Sequence, residues 1–126
     1  SSYHSQVLFR GWILKVTPEG KSIPYASGVR SPGGIGFNDH GALFYIESQG
    51  PWNSACRLMF AKEGGFRGVP ISYNWSKYAP NMGDAPIEPK NGSSTLAESQ
   101  RISQLDPYAV VFPYIRMGRS LSGFVV

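Results

Sequence analysis

Apolar positions in this chain fall in short runs, each closed by Gly, Pro, Asn or Asp. Trp12-Ile13-Leu14-Lys15-Val16 is aromatic and β-branched enough for a strand. Pro18-Glu19-Gly20-Lys21 follows as a turn, with Pro setting φ and Gly tolerating φ > 0. Residues 23–26 form a second, short strand. Gly33-Gly34-Ile35-Gly36-Phe37 reads as a small-residue strand, and Asn38-Asp39-His40-Gly41 as a hairpin turn. Ala42-Leu43-Phe44-Tyr45-Ile46 is a strongly apolar strand, and Ser48-Gln49-Gly50-Pro51-Trp52-Asn53 a loop. Residues 55–61 are another strand, Lys62-Glu63-Gly64-Gly65 turns out of it, and Phe66-Arg67-Gly68-Val69 begins one more.

Residues 73–107 change character, with Pro80, Pro86, Pro89 and Pro107 among many Ser, Asn and Gln. Periodicity is absent there apart from a short helix over 96–102. So long a connection is characteristic of a functional or mobile insertion. Strands at 109–114 and 121–126, joined through Arg116-Met117-Gly118-Arg119-Ser120, close the chain. Antiparallel strands at this spacing predict an all-β fold and match about one and a half blades of a β-propeller. Residues 11–72 cover the best-formed blade region, 73–107 an irregular insertion, and 108–126 the start of the next blade. Glycines weaken a strand and mark a close backbone approach, which fits 33–37 as the innermost strand of a blade and equally a barrel corner.

Composition agrees with the β reading. Charged residues are 16% of the 126, against about 25% in an average domain, and aromatics are 13%. The 15 Gly and 10 Pro supply the turns. Net charge is +4, but the 12 Lys and Arg are scattered singly, which argues against nucleic-acid binding. The single Cys56 excludes an internal disulfide and reads as a small buried hydrophobe. No apolar run is long enough for a transmembrane helix. The chain opens Ser1-Ser2 without Met and closes on apolar Gly123-Phe124-Val125-Val126, so it is expected to be cut from something longer. No signal peptide is visible, nor would a fragment show one.

Hairpin geometry brings two loops together. The segment entering the strand at 33–37, Gly28-Val29-Arg30-Ser31-Pro32, and the one leaving the next strand, Gln49-Gly50-Pro51-Trp52, lie at the same end, opposite His40. Arg30 offers a planar donor fork suited to carboxylates. Gly50-Pro51 turns the backbone so that carbonyls can face a hard cation such as Ca²⁺. The plainer alternatives are an Arg in a surface or inter-blade ion pair and a Gly-Pro pair that only turns.

The run Ser27-Gly28-Val29-Arg30-Ser31-Pro32-Gly33-Gly34-Ile35-Gly36-Phe37-Asn38, then Gly41-Ala42-Leu43-Phe44, Glu47-Ser48-Gln49-Gly50-Pro51 and Glu63-Gly64-Gly65-Phe66-Arg67-Gly68-Val69-Pro70, resembles the soluble quinoprotein glucose and aldose sugar dehydrogenases. Gly11-Trp12-Ile13-Leu14-Lys15-Val16-Thr17-Pro18-Glu19-Gly20 is similar to a strand and turn of the same proteins and of their membrane-bound, haem-associated relatives. The likeness covers about residues 11–70. It implies a six-bladed β-propeller that oxidises a sugar or polyol with pyrroloquinoline quinone (PQQ) and Ca²⁺, in the periplasm or outside the cell, passing electrons to a cytochrome c-type acceptor. It places Arg30 and Ser31 at the cofactor, and the Gly50 and Pro51 carbonyls on the metal.

Departures accompany the likeness. Ser31 stands where the family has Asn, and Trp52-Asn53-Ser54-Ala55 replaces its acidic residues. The family's general base is a His on another blade; this chain has only His4 and His40, so no catalytic residue is assigned. Arg116, Arg119, Ser120 and Ser122 form a second anion candidate or a solvated loop. Two functions therefore stay open: part of a dehydrogenase, or a non-catalytic propeller that binds a carbohydrate or a protein.

Overall fold

Turn chemistry sets the first sheet. The computed structural model describes residues 7–49, 52, 55–113, 116–117 and 121–125. Strand β1 (Trp12–Val16) pairs antiparallel with β2 (Ser22–Ser27). Between them Gly20 N–H donates to the Thr17 carbonyl at 2.9 Å, and Gly20 has φ +84°. That left-handed conformation is the reason for glycine there.

The second sheet is a four-stranded antiparallel meander of β3 (Pro32–Phe37), β4 (Leu43–Glu47), β5 (Cys56–Phe60) and β6 (Val110–Phe112), in that order. The β3–β4 turn is closed by Asn38, whose Oδ1 accepts from the backbone N–H groups of His40 and Ala42 at 3.0 and 2.8 Å. Register alternation sorts the side chains. Leu43, Tyr45, Glu47, Arg57 and Met59 share one face. Its apolar end packs with Val29 and Ala61 into the core, covered by Ile13 and Tyr25. Phe44 and Phe60 meet on the opposite face with centroids 5.5 Å apart. Gly34 and Gly36 face that side too.

Residues 65–69 bond to the end of β2 and to Gly28 beyond it. Ser27 N–H donates to the Gly65 carbonyl, Arg67 N–H to Ser27, and Val69 N–H to Gly28. Phe66 packs with Ile102 and Leu105 in a second core cluster that also touches Trp52 and Tyr73. Beside it the buried Arg67 donates from Nη1 to Asp106 Oδ2 at 2.6 Å. Replacing Asp106 by Ala would leave that guanidinium without its ion-pair partner, and we expect about 2–3 kcal/mol of destabilisation in urea unfolding.

The strands expected at 12–16, 23–26, 33–37, 42–46 and 55–61 are thus present, with ends moved by one residue in most. Four expectations are corrected. Residues 66–69 form only single bridges, Phe66 with Ser27 of β2 and with Leu105, and are not a strand of their own. The segment 73–107 holds the short helix expected at 96–102, as α1 (Thr95–Arg101) capped by Ser94, but is less irregular than expected before it, where 3₁₀ helices Pro70–Tyr78 and Pro80–Met82 each begin on a proline. The strand expected at 109–114 is only Val110–Phe112. It closes the sheet begun at β3, pairing Val111 with Arg57, instead of opening the next blade. Residues 121–125 form no strand.

Leu121 to Phe124 instead cross the glycine-bearing side of β3. A side chain at Gly33 would run into the Leu121 carbonyl, and one at Gly34 would sit 3.3 Å from Gly123 Cα. The glycines thus do mark a close backbone approach, made here by residues 121–124. The protein is mostly β, and among the described residues no helix is long and apolar enough to cross a membrane.

Candidate functional site

The register fixes which residues meet. Because Pro32 pairs with Glu47, the segment before β3 and the segment after β4 emerge at one end of the hairpin. The 38–42 turn, with His40, is at the other. Glu47 joins the two segments. Its carboxylate Oε1 accepts the backbone N–H of Arg30 and that of Ser31, the latter at 2.8 Å. Arg30 then reaches across, its Nη1 donating to the Gln49 carbonyl at 2.6 Å. The structure therefore brings together Arg30, Ser31 and Gln49. Gly50 and Pro51, expected to complete the pair, lie outside the described residues, as does His4.

Glu47 is fully buried and Arg57, opposite it on β5, is 2% exposed. Arg57 Nη2 stands 3.8 Å from Glu47 Oε2, an ion pair without a hydrogen bond. Burial pushes the Glu47 carboxyl above the ordinary range, against the pull of the Arg30 and Ser31 N–H groups and of Arg57. Burial likewise works against the Arg57 charge, with Glu47 opposing it. For both members desolvation outweighs their mutual attraction, the usual balance for a buried pair. Tyr45, on the same face, has its phenol held un-ionised first by burial and then by the Glu47 charge.

Arg57 also borders a cleft of about 200 Å³ lined by Trp52, Ser93, Ser94, Thr95, Tyr108 and Val111. The ring N–H of Trp52 donates to the Lys90 carbonyl at 3.0 Å, drawing the loop after β4 onto the segment before α1.

Glu47 and Arg57 were not singled out in the sequence. The usable signal was a charge inside each of two short apolar strands, Leu-Phe-Tyr-Ile-Glu and Cys-Arg-Leu-Met-Phe. A charge there is either at a solvated face or buried with a partner, and only cross-strand register decides. Cys56 is fully buried, as expected. Arg116 and Ser122 are exposed, while Arg119 and Ser120 lie outside the described residues. Among the described residues no three His, Cys, Asp or Glu side chains come together as metal ligands. No model of a known protein family matches the chain, and no curated protein or solved structure matches it either.

Proposed function

We propose that the chain is part of a six-bladed β-propeller dehydrogenase that oxidises a sugar or polyol with a PQQ-type cofactor and Ca²⁺. The observation that carries this reading is the Arg30–Gln49 contact, fastened from beneath by Glu47. It sets a cation from one loop against the Gln49 carbonyl, which precedes Gly50-Pro51 in sequence, on the other. The guanidinium is exposed at the surface, and a five-donor fork that spends one N–H on Gln49 retains capacity for an anionic ligand. Two features support the architecture. A four-stranded antiparallel meander is the unit from which propeller blades are made. Apolar Ile35 and Phe37 on β3 are 61% and 69% exposed, as befits a first strand that faces other blades.

In this reading Arg30 and the Ser31 segment hold the cofactor, and the Gly50 and Pro51 carbonyls hold the metal. The quinone supplies the redox chemistry. The chain's own residues orient it: Glu47 fixes the Arg30–Ser31 backbone, and Arg30 presents charge beside the Gln49 carbonyl. Electrons would pass to a cytochrome c-type acceptor, in the periplasm or outside the cell.

Titrating quinone and Ca²⁺ into the apo-protein tests this. Arg30→Ala should weaken quinone binding about tenfold or more, the effect of losing a hydrogen bond between charged groups. Gly50→Trp should weaken Ca²⁺ binding. A wild-type protein that binds no quinone overturns the proposal. A second reading, a non-catalytic propeller that binds a carbohydrate or protein, is favoured by the position of His40. It lies in the hairpin turn at the far end from the loop pair, where it cannot serve as a base.

A further inference from the structure

We propose that the cleft beside Arg57 is an oxyanion-binding site, distinct from the Arg30 loop pair, for a small ligand bearing a carboxylate or a phosphate. The argument begins with hydrogen-bond capacity. A guanidinium carries five N–H donors and cannot shed its charge. Arg57 is 2% exposed, yet among the described residues its Nε, Nη1 and Nη2 have no hydrogen-bond partner. Glu47 does not supply one. Its Oε1 is taken by the Arg30 and Ser31 amides, and its Oε2 is 3.8 Å from Nη2. A cation taken out of water and left without acceptors is strongly unfavourable, so acceptors are expected to reach it.

Arg57 lines a cleft of about 200 Å³. Its lining suits an oxyanion. Ser94 and Tyr108 bring hydroxyl groups to it, the Ser93 hydroxyl is engaged by Glu98, and none of the lining residues is acidic. Ser94 Oγ already accepts the Ala97 N–H, which leaves its own O–H to donate. Val111 and Trp52 form a partly apolar wall that strengthens a charge-assisted bond. The nearest neighbouring acid on α1, Glu98, is committed to Arg101 and the Lys90 N–H. At this size the cleft admits a phosphate or a compact carboxylate such as a sugar acid, and it falls below the range of drug-sized pockets.

This proposal does not rest on the quinone reading, because Arg57 is on β5, which flanks β4 on one side, whereas Arg30 precedes β3, which flanks it on the other. Thermal unfolding of the intact protein in rising sodium phosphate and rising sodium glucuronate, each against sodium chloride of equal ionic strength, tests it. At least one of the two should raise Tm saturably beyond chloride, and the stronger of them assigns phosphate or carboxylate. Arg57→Lys, which keeps the charge but loses the fork, should weaken that ligand about tenfold or more, and Tyr108→Phe by about threefold. Arg30→Ala should leave it unchanged. A Tm response no larger than chloride's overturns the proposal, as does an affinity that falls in Arg30→Ala and not in Arg57→Lys. Should Arg57→Lys fail to fold, an unchanged affinity in Tyr108→Phe overturns it.

Discussion

Glu47→Ala is expected to destabilise the protein by about 3–5 kcal/mol, whereas Glu47→Gln costs about 1 kcal/mol or less at neutral pH. Alanine removes the acceptor of both the Arg30 and Ser31 amides and strips the buried Arg57 of its ion-pair partner among the described residues. Glutamine keeps an oxygen for the two amides. It also discards a charge that burial disfavours more than Arg57 favours, since the Glu47 carboxyl is raised above its ordinary value. A raised folded-state value means that the native protein holds this proton more tightly than the unfolded chain. Stability from this group is therefore fully present below the usual glutamate range, near 4.5, and is lost as pH rises through the higher folded-state value. Urea midpoints measured from pH 4 to pH 8 should show wild type losing stability relative to Glu47→Gln as pH rises through that window. Equal pH dependence in the two proteins would contradict the burial of an ionisable Glu47.

Gly28→Ala should be nearly as damaging, by about 2–4 kcal/mol. Gly28 has φ +82°, a conformation that costs an L-residue about 1–2 kcal/mol. An added Cβ would also lie 2.6 Å from the Phe66 ring and 2.7 Å from the Arg67 backbone nitrogen. Neither neighbour can give way cheaply. Phe66 fills the second core cluster, and the Arg67 N–H is bonded to Ser27 at 2.9 Å. Gly20→Ala, at φ +84° with nothing within 4 Å of the added atom, isolates the backbone part of that cost. Denaturation of the two variants side by side should show Gly28→Ala the worse; equal losses would mean that the packing of Phe66 and Arg67 against Gly28 is looser than described.

What the sequence made legible was local. Alternating apolar runs and Gly or Asn turns placed β1 to β5, and the Asn38-Asp39-His40-Gly41 turn alone implied that Arg30 and Gln49 share one end of a hairpin, as they do. What escaped was nonlocal. Val110–Phe112 looks like any short β-branched strand, and nothing in it tells that it returns across a long excursion to pair with β5. The 3₁₀ turns from Pro70 to Met82 lack an apolar period because tertiary contacts hold them: Trp12 Nε1 reaches the Ser72 carbonyl and Asn81 the Pro24 carbonyl, each at 3.0 Å. Glu47 and Arg57 became visible as a pair only when their strands were set in register.

One amide NMR titration tests the central claim, that the Glu47-fastened end of the β3–β4 hairpin is where ligand binds. PQQ and Ca²⁺ are added to the isotope-labelled protein, and backbone resonances are followed. The account predicts saturable shifts at Arg30, Ser31 and Gln49, with His40 and Gly41 at the far turn unmoved. Saturation with shifts centred on His40, or a spectrum unchanged at every residue, would contradict it.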